Sequence, residues 1–184
     1  MKLNNIYISS LLYLLLTGCS FYSIKGSIPS HLSRVVINPI VNESSEYTIG
    51  QKFEDHFMQS FIEENLLLIS DFENADCKLE FKIINLSDKP YTLNETSFNT
   101  IVEQWEISIT IQVIWFDLIN QKNILNKDIR ESIIYNLDNS SIVNESLNNN
   151  VTEKVSIISS RDEAMEKCIM NLSERVITEL TSTW

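Results

Sequence analysis

From Trp105 to Trp115 every odd position is apolar (Trp105, Ile107, Ile109, Ile111, Val113, Trp115), whereas Glu106, Ser108, Thr110 and Gln112 at the even positions are polar. Successive side chains of a strand point to opposite faces, so this alternation predicts a strand with one side on a core and the other in water. Leu125, Ile129, Ile133 and Tyr135 alternate with polar neighbours and predict its partner. In Cys77 to Leu86, Cys77, Leu79, Phe81 and Ile83 share one side and Lys78, Glu80 and Lys82 the other. Arg34 to Ile40 predicts a further short strand, ended by Pro39, which lacks the amide a ladder needs.

The period changes to three and four in two places. Phe53, Phe57 and Phe61, flanked by Met58, Ile62 and Leu66, predict a helix over about 49–65. Thr48 and Gln51 have capping-box spacing at its start. Ala164, Met165, Cys168, Leu172, Val176 and Leu180 predict a terminal helix, with Ser160 and Glu163 as its box. Between these elements, Val41 to Tyr47 reads as a polar loop, Leu66 to Ile69 as a short extended piece and 71–76 as an acidic turn. Ser87 to Thr100, holding Pro90, reads as a long hairpin loop, and 138–150 as an Asn-rich loop. A strand–helix–strand opening implies a right-handed parallel crossover, and the later strands suit an antiparallel meander. The expectation is an α+β fold: a two-layer α/β sandwich, with an about four-stranded mixed sheet and two helices packed on one face. The second, polar face of the sheet is left uncovered.

The N-terminus carries a different signal. Lys2 precedes an apolar run, Ile6–Leu16, that is too short to span a bilayer, which takes about 20 residues. It has the length of a signal-peptide core and ends in Leu16-Thr17-Gly18-Cys19. Small residues before the cut suit a signal peptidase, and Cys19 supplies the thiol for lipid attachment. Residues 1–18 are therefore expected to be removed, 19–32 to form a lipidated tether, and 33–184 to fold as a single domain. Several acyl chains anchor durably where one does not, each buried CH₂ contributing about 0.8 kcal/mol. Ser20 in place of Asp favours the outer membrane over the inner one, with the protein on the periplasmic side.

The chain holds 14 Lys+Arg against 25 Asp+Glu, a formal net charge of −11. That argues against nucleic acid as a partner, since affinity there comes from neutralising phosphates. Cys77 and Cys168 both lie on predicted core faces, where a free thiol acts as a small hydrophobe. The oxidising periplasm leaves a disulfide between them open. No catalytic constellation, metal spacing or phosphate loop is present, so no catalytic residue, cofactor or metal is expected. His31 falls in the tether and His56 on a solvated helix face; Glu63, Glu64, Asp71, Glu73 and Asp76 read as solvated face and turn. Trp105 and Trp115 share parity with the isoleucines, which makes them core. What remains is surface suited to an adaptor or plug.

The order of motifs resembles the LptE family, the outer-membrane lipoproteins of lipopolysaccharide (LPS) assembly. Cys19 is followed by Tyr22-Ser23-Ile24-Lys25-Gly26 and Ile28-Pro29. Then come Val36-Ile37-Asn38-Pro39-Ile40-Val41-Asn42, Gly50 opening the Phe53/Phe57/Phe61 helix, Ala75-Asp76 before the strand at Leu79, and Pro90-Tyr91. The long strand closes on Phe116-Asp117, and Glu163-Ala164 begins a helix that runs towards Trp184. The resemblance implies a plug and folding partner for the LptD barrel, delivering LPS to the outer leaflet. The face of Glu106, Ser108, Thr110 and Gln112, with Pro90 and Tyr91, is the expected barrel contact. LPS is a second candidate ligand, although the acidic charge argues against a grip driven by lipid A phosphates. A lipoprotein of another envelope machine, such as a secretin pilotin or a barrel-assembly accessory, is the alternative; an envelope hydrolase would need a polar cleft.

Overall fold

The structure, a computed structural model, describes residues 28–95, 100–136 and 160–182. Cys19, the start of the expected tether and the 138–159 stretch lie outside the described residues. The elements are β1 (Arg34–Ile37), β2 (Val41–Asn42), α1 (Thr48–Glu63), β3 (Leu68–Ile69), a 3₁₀ turn (Phe72–Asn74), β4 (Cys77–Glu95), β5 (Thr100–Asp117), β6 (Lys122–Asn136) and α2 (Arg161–Ser182). The expected α+β class and two-layer arrangement are present, with both helices on one face of a mixed sheet. The sheet has six strands among the described residues, in the order β3-β1-β4-β5-β6, with β2 also paired to β4.

β4, β5 and β6 form the antiparallel meander, while β1 and β2 run parallel to β4 and β3 parallel to β1. β1 and β2 follow one another along the same side of β4: Ile37 pairs with Leu79 and Val41 with Lys82, and Asn38-Pro39-Ile40 interrupts them. The interruption sits at the proline, which has no N–H to donate. The polar loop expected from Val41 therefore starts with a strand.

The long loop expected over Ser87–Thr100 is a correction. β4 continues to Glu95, with Pro90 opposite Trp105 inside the ladder. The alternation is hidden by register shifts at Ile83/Asn85, Pro90/Thr92 and Thr92/Leu93. The first inserts Ile84, and one extra residue exchanges the two faces of everything after it. Odd positions face the helices as far as Ile83; beyond it Leu86 and Asp88 do, opposite Ile109 and Ile107.

The core lies between the sheet and the helices. Phe53, Phe57 and Phe61 of α1 are buried, and Phe57 meets the rings of Phe53, Phe61 and Phe81 at 5.8, 5.5 and 4.7 Å. Cys168, Ile169, Leu172 and Val176 of α2 join the same cluster as Ile107, Ile109, Ile111, Val113 and Trp115. α1 ends where Asn65 takes a left-handed conformation (φ 49°), a role asparagine fills more readily than most residues. The predicted box at its start does not form: Tyr47 occupies the cap position without a side-chain bond. The turn before it is held instead by Asn42, whose Oδ1 accepts from Ser44 N–H and Oγ and whose Nδ2 donates to the Glu46 carbonyl. Ser160 does cap α2, accepting from Glu163 N–H at 3.2 Å.

Candidate functional site: the open face and the two ends of the sheet

The sheet face turned away from the helices is where the strands place the predicted contact residues. Cross-strand partners share a face, so the register defines its rows: Lys89–Glu106–Ile134, Ser87–Ser108–Ser132, Asn85–Thr110–Arg130, Lys82–Gln112–Asp128 and Glu80–Ile114–Asn126. No helix among the described residues covers these rows. Glu106, Thr110 and Gln112 are partly exposed on this face. Ser108 departs from expectation, being only 3% exposed. It is small, and Arg130 donates to its Oγ at 3.2 Å while leaning towards Glu106 at 3.9 Å. Further along, Lys78 donates to Glu80 at 2.8 Å and lies 5.3 Å from the centre of the Phe116 ring, and Lys82 pairs with Glu43. The face is thus mostly polar, and Lys78, Lys82 and Arg130 are answered by carboxylates of the protein itself. Tyr91 is exposed beside a register shift, and Pro90 sits in the strand.

Two polar clusters were not legible as sites. At the end of the sheet where the chain enters, Asp117 is fully buried, with Oδ1 accepting from Ile119 N–H (2.9 Å) and Asn120 N–H (2.8 Å). Its Oδ2 accepts from the Asn120 side chain and lies 2.8 Å from His31 Nε2. Burial pushes this carboxyl up, but the bonds from Asn120, His31 and Ile119 outweigh it and hold it at about 2. His31 is therefore docked on the domain, and Leu32 beside it is buried, so packing begins inside the segment read as tether. Asp76 ties the same end, accepting from the Ser33 and Arg34 amides and from the Arg34 guanidinium. Towards the other end, Asp88 accepts from Tyr135 (2.9 Å) and from Arg161 Nε (2.8 Å). Burial and the bond to Asp88 push the Tyr135 phenol up to about 12, so it stays a donor. This clasp fastens the first residue of α2 to the outer part of the sheet.

His56, expected to be solvated, lies 2.8 Å from Glu166 of α2, which Lys52 also reaches at 2.7 Å. These two partners hold the Glu166 carboxyl below its usual value. Cys77 and Cys168 are free and buried, with burial pushing their thiols up to about 11 and about 12. Trp115 is buried as expected, and Trp105 packs half-buried against the core. No group of three or more His, Cys, Asp or Glu among the described residues is placed to hold a metal ion, and no described helix is long and apolar enough to cross a membrane.

No protein-family model and no curated protein matches the sequence. Solved structures do resemble the fold. Lipoprotein B from Nitrosomonas europaea, described as uncharacterized, superposes with a TM-score of 0.54 at 13% identity over 89% of each chain. A hypothetical protein from Chlamydia trachomatis gives 0.52 at 14% identity, over 83% of this chain and 97% of that one. Rare lipoprotein B from Shewanella oneidensis gives 0.50 at 13% identity, over 79% and 96%. At such identities the likeness is one of fold, and the fold is one that bacterial lipoproteins have.

Proposed function

We propose that this protein is an outer-membrane lipoprotein, anchored through Cys19 on the periplasmic side, that acts as plug and folding partner of the LptD-type barrel in LPS delivery. The observation that carries the reading is the open sheet face, whose polar rows around Thr110 and Gln112 lie on a chain that begins with a lipidation signal. Lumens of membrane barrels are polar and water-filled, so a plug needs an outward surface that stays favourable against water and against polar walls. The polar rows meet that need: Lys78, Lys82 and Arg130 are paired with carboxylates within the protein, and Thr110 and Gln112 offer neutral polar groups to a polar wall. The order of sequence motifs from Cys19 to Glu163-Ala164 supports the same partner, and the lipoprotein fold of the neighbours is compatible with it. The role is one of binding and assembly, without catalysis.

The test is co-purification of the barrel with the tagged protein from detergent-solubilised outer membrane. Thr110→Arg together with Gln112→Arg adds two cations to an otherwise acidic plug and should reduce recovered barrel at least tenfold, with unchanged thermal unfolding of the variant. Undiminished recovery, or capture of a secretin or barrel-assembly subunit by the unaltered protein, refutes the reading.

A further inference from the structure

The end of the sheet where the chain enters exposes large apolar side chains. Leu68 and Ile69 of the edge strand β3 are 66% and 44% exposed, Phe72 in the following 3₁₀ turn 63%, and Ile119 in the β5–β6 turn 56%. Hydrogen bonds place these segments along one rim: Leu68 N–H donates to Ser33 carbonyl, Asp76 N–H to Arg34 carbonyl and Leu118 N–H to Asp76 carbonyl. Between the entering chain and β3 lies a cavity of about 350 Å³, walled in part by Ile28, Pro29, Leu32, Leu66 and Leu67. Water-exposed Leu, Ile and Phe in this density on one rim mark an interaction surface.

The geometry points to this rim as a bilayer-docking surface for zwitterionic lipid, which would set the domain upright on its anchor. The inference rests on the lipid-anchor part of the proposed function and not on the barrel partner. Eight residues lie between Cys19 and Ile28, and a fully extended chain covers at most about 3.3–3.6 Å per residue over the nine steps, so Ile28 beside the rim stays within about 30 Å of the lipid surface. The opposite end, with Tyr91 and Leu93, is held away by the length of β4. Exposed Asp71 and Glu73 flank Phe72, Arg34 beside Leu68 is already paired with Asp76, and Lys122 lies near Ile119, so the rim carries no net positive charge, an anionic surface is disfavoured and a zwitterionic one fits. Docking also blunts β3, an edge strand that would otherwise offer its unpaired side to other chains.

The test uses the full lipidated chain in phosphatidylcholine vesicles with brominated acyl chains. Since Cys77 and Cys168 are buried, Phe72→Cys and, separately, Tyr91→Cys each give one accessible thiol for an environment-sensitive fluorophore. The label at 72 should shift to the blue and be quenched by at least half, while that at 91 stays at its aqueous emission. Leu68→Ser with Ile119→Ser should cut the ratio of docked to undocked protein at least tenfold, because the loss of either side chain alone moves a partition constant by about that order. Equal aqueous emission at both positions overturns the inference. The mass of the N-terminal peptide reports separately on the anchor: acylated Cys19 with an aqueous label at 72 leaves the anchor standing and refutes docking. An unmodified Cys19 removes the anchor and the inference with it.

Discussion

Phe57→Ala is the perturbation whose cost the structure defines best. The Phe57 ring is fully buried and touches three other rings, two of its own helix and Phe81 of β4, with centroids between 4.7 and 5.8 Å away. With Phe53, whose ring also meets Phe81 at 5.7 Å, it links α1 to the sheet. Truncating a buried Phe costs about 3–5 kcal/mol, from lost transfer energy plus the cavity left behind. Aromatic pairs add about 0.5–1.5 kcal/mol each beyond area burial, so a ring with three partners belongs at the upper end, about 4–5 kcal/mol. For a domain of this size each kcal/mol lowers Tm by about 2–4 °C, so the variant should melt about 10–15 °C below the parent. Urea unfolding followed by the fluorescence of buried Trp115 measures the loss directly. Phe57→Leu, which keeps most of the volume, should cost under about 1.5 kcal/mol. Phe72→Ala, on an exposed ring, should stay within about 0.5 kcal/mol. A Phe57→Ala loss below about 2 kcal/mol, or one matching Phe72→Ala, would refute the assignment of this ring as a buried link between the layers.

Asp117 sets the acid limb of stability. Its folded pKa, about 2, lies below its unfolded value, so its contribution is complete above pH ~4 and disappears as pH falls from there through about 2. Asp117→Asn should flatten the wild-type decline across that window in unfolding titrations; an unchanged slope counts against the Asp117 cluster. Cys77 and Cys168, buried and with raised thiol pKa values, should resist Ellman's reagent at pH 8 and react fully once denatured; native labelling within minutes would contradict their burial. Asp88→Ala removes the acceptor shared by Tyr135 and Arg161, and should lower stability by about 2–3 kcal/mol while returning the Tyr135 phenol towards 10 in an ultraviolet pH titration. A phenol still near 12 would mean that burial alone raises it.

The sequence reveals most where one periodicity runs unbroken. β5 alternates over its inner stretch without a shift in register with β4 from Trp105 to Ile109, and both helices carry stripes of buried side chains at three- and four-residue spacing, so all three were readable. β4 was readable only to Ile83, because Ile84 swaps the phase and the two later shifts scramble it again. β3 falls within the extended piece read at Leu66–Ile69, whereas β2, two residues long, is shorter than any periodic signal and exists because β4 offers it free ladder groups. Ser108 looked like a solvated position by parity, but a small side chain beneath Arg130 is buried even on an open face. His31 and Asp117 stand 86 residues apart, and nothing in local patterning joins them. The Asp117-x-x-Asn120 turn was the available cue, since Asp at the head of a turn commonly accepts amides two and three residues on.

The hairpin of β4 and β5 outruns its support. β6 ends at Asn136, opposite Gln104, and α2 begins beside Asp88, so from Leu93 and Val102 outward the sheet among the described residues narrows to two strands about 10 Å long. A two-stranded ribbon has little stability of its own in water, and little of the domain's stability resides in it. Among the described residues, that makes the outer end of β4 and β5 a place where foreign sequence should be tolerated. An epitope or reporter peptide spliced between Glu95 and Thr100 leaves the layered base intact, and gives a handle on the protein at the end furthest from where its chain enters.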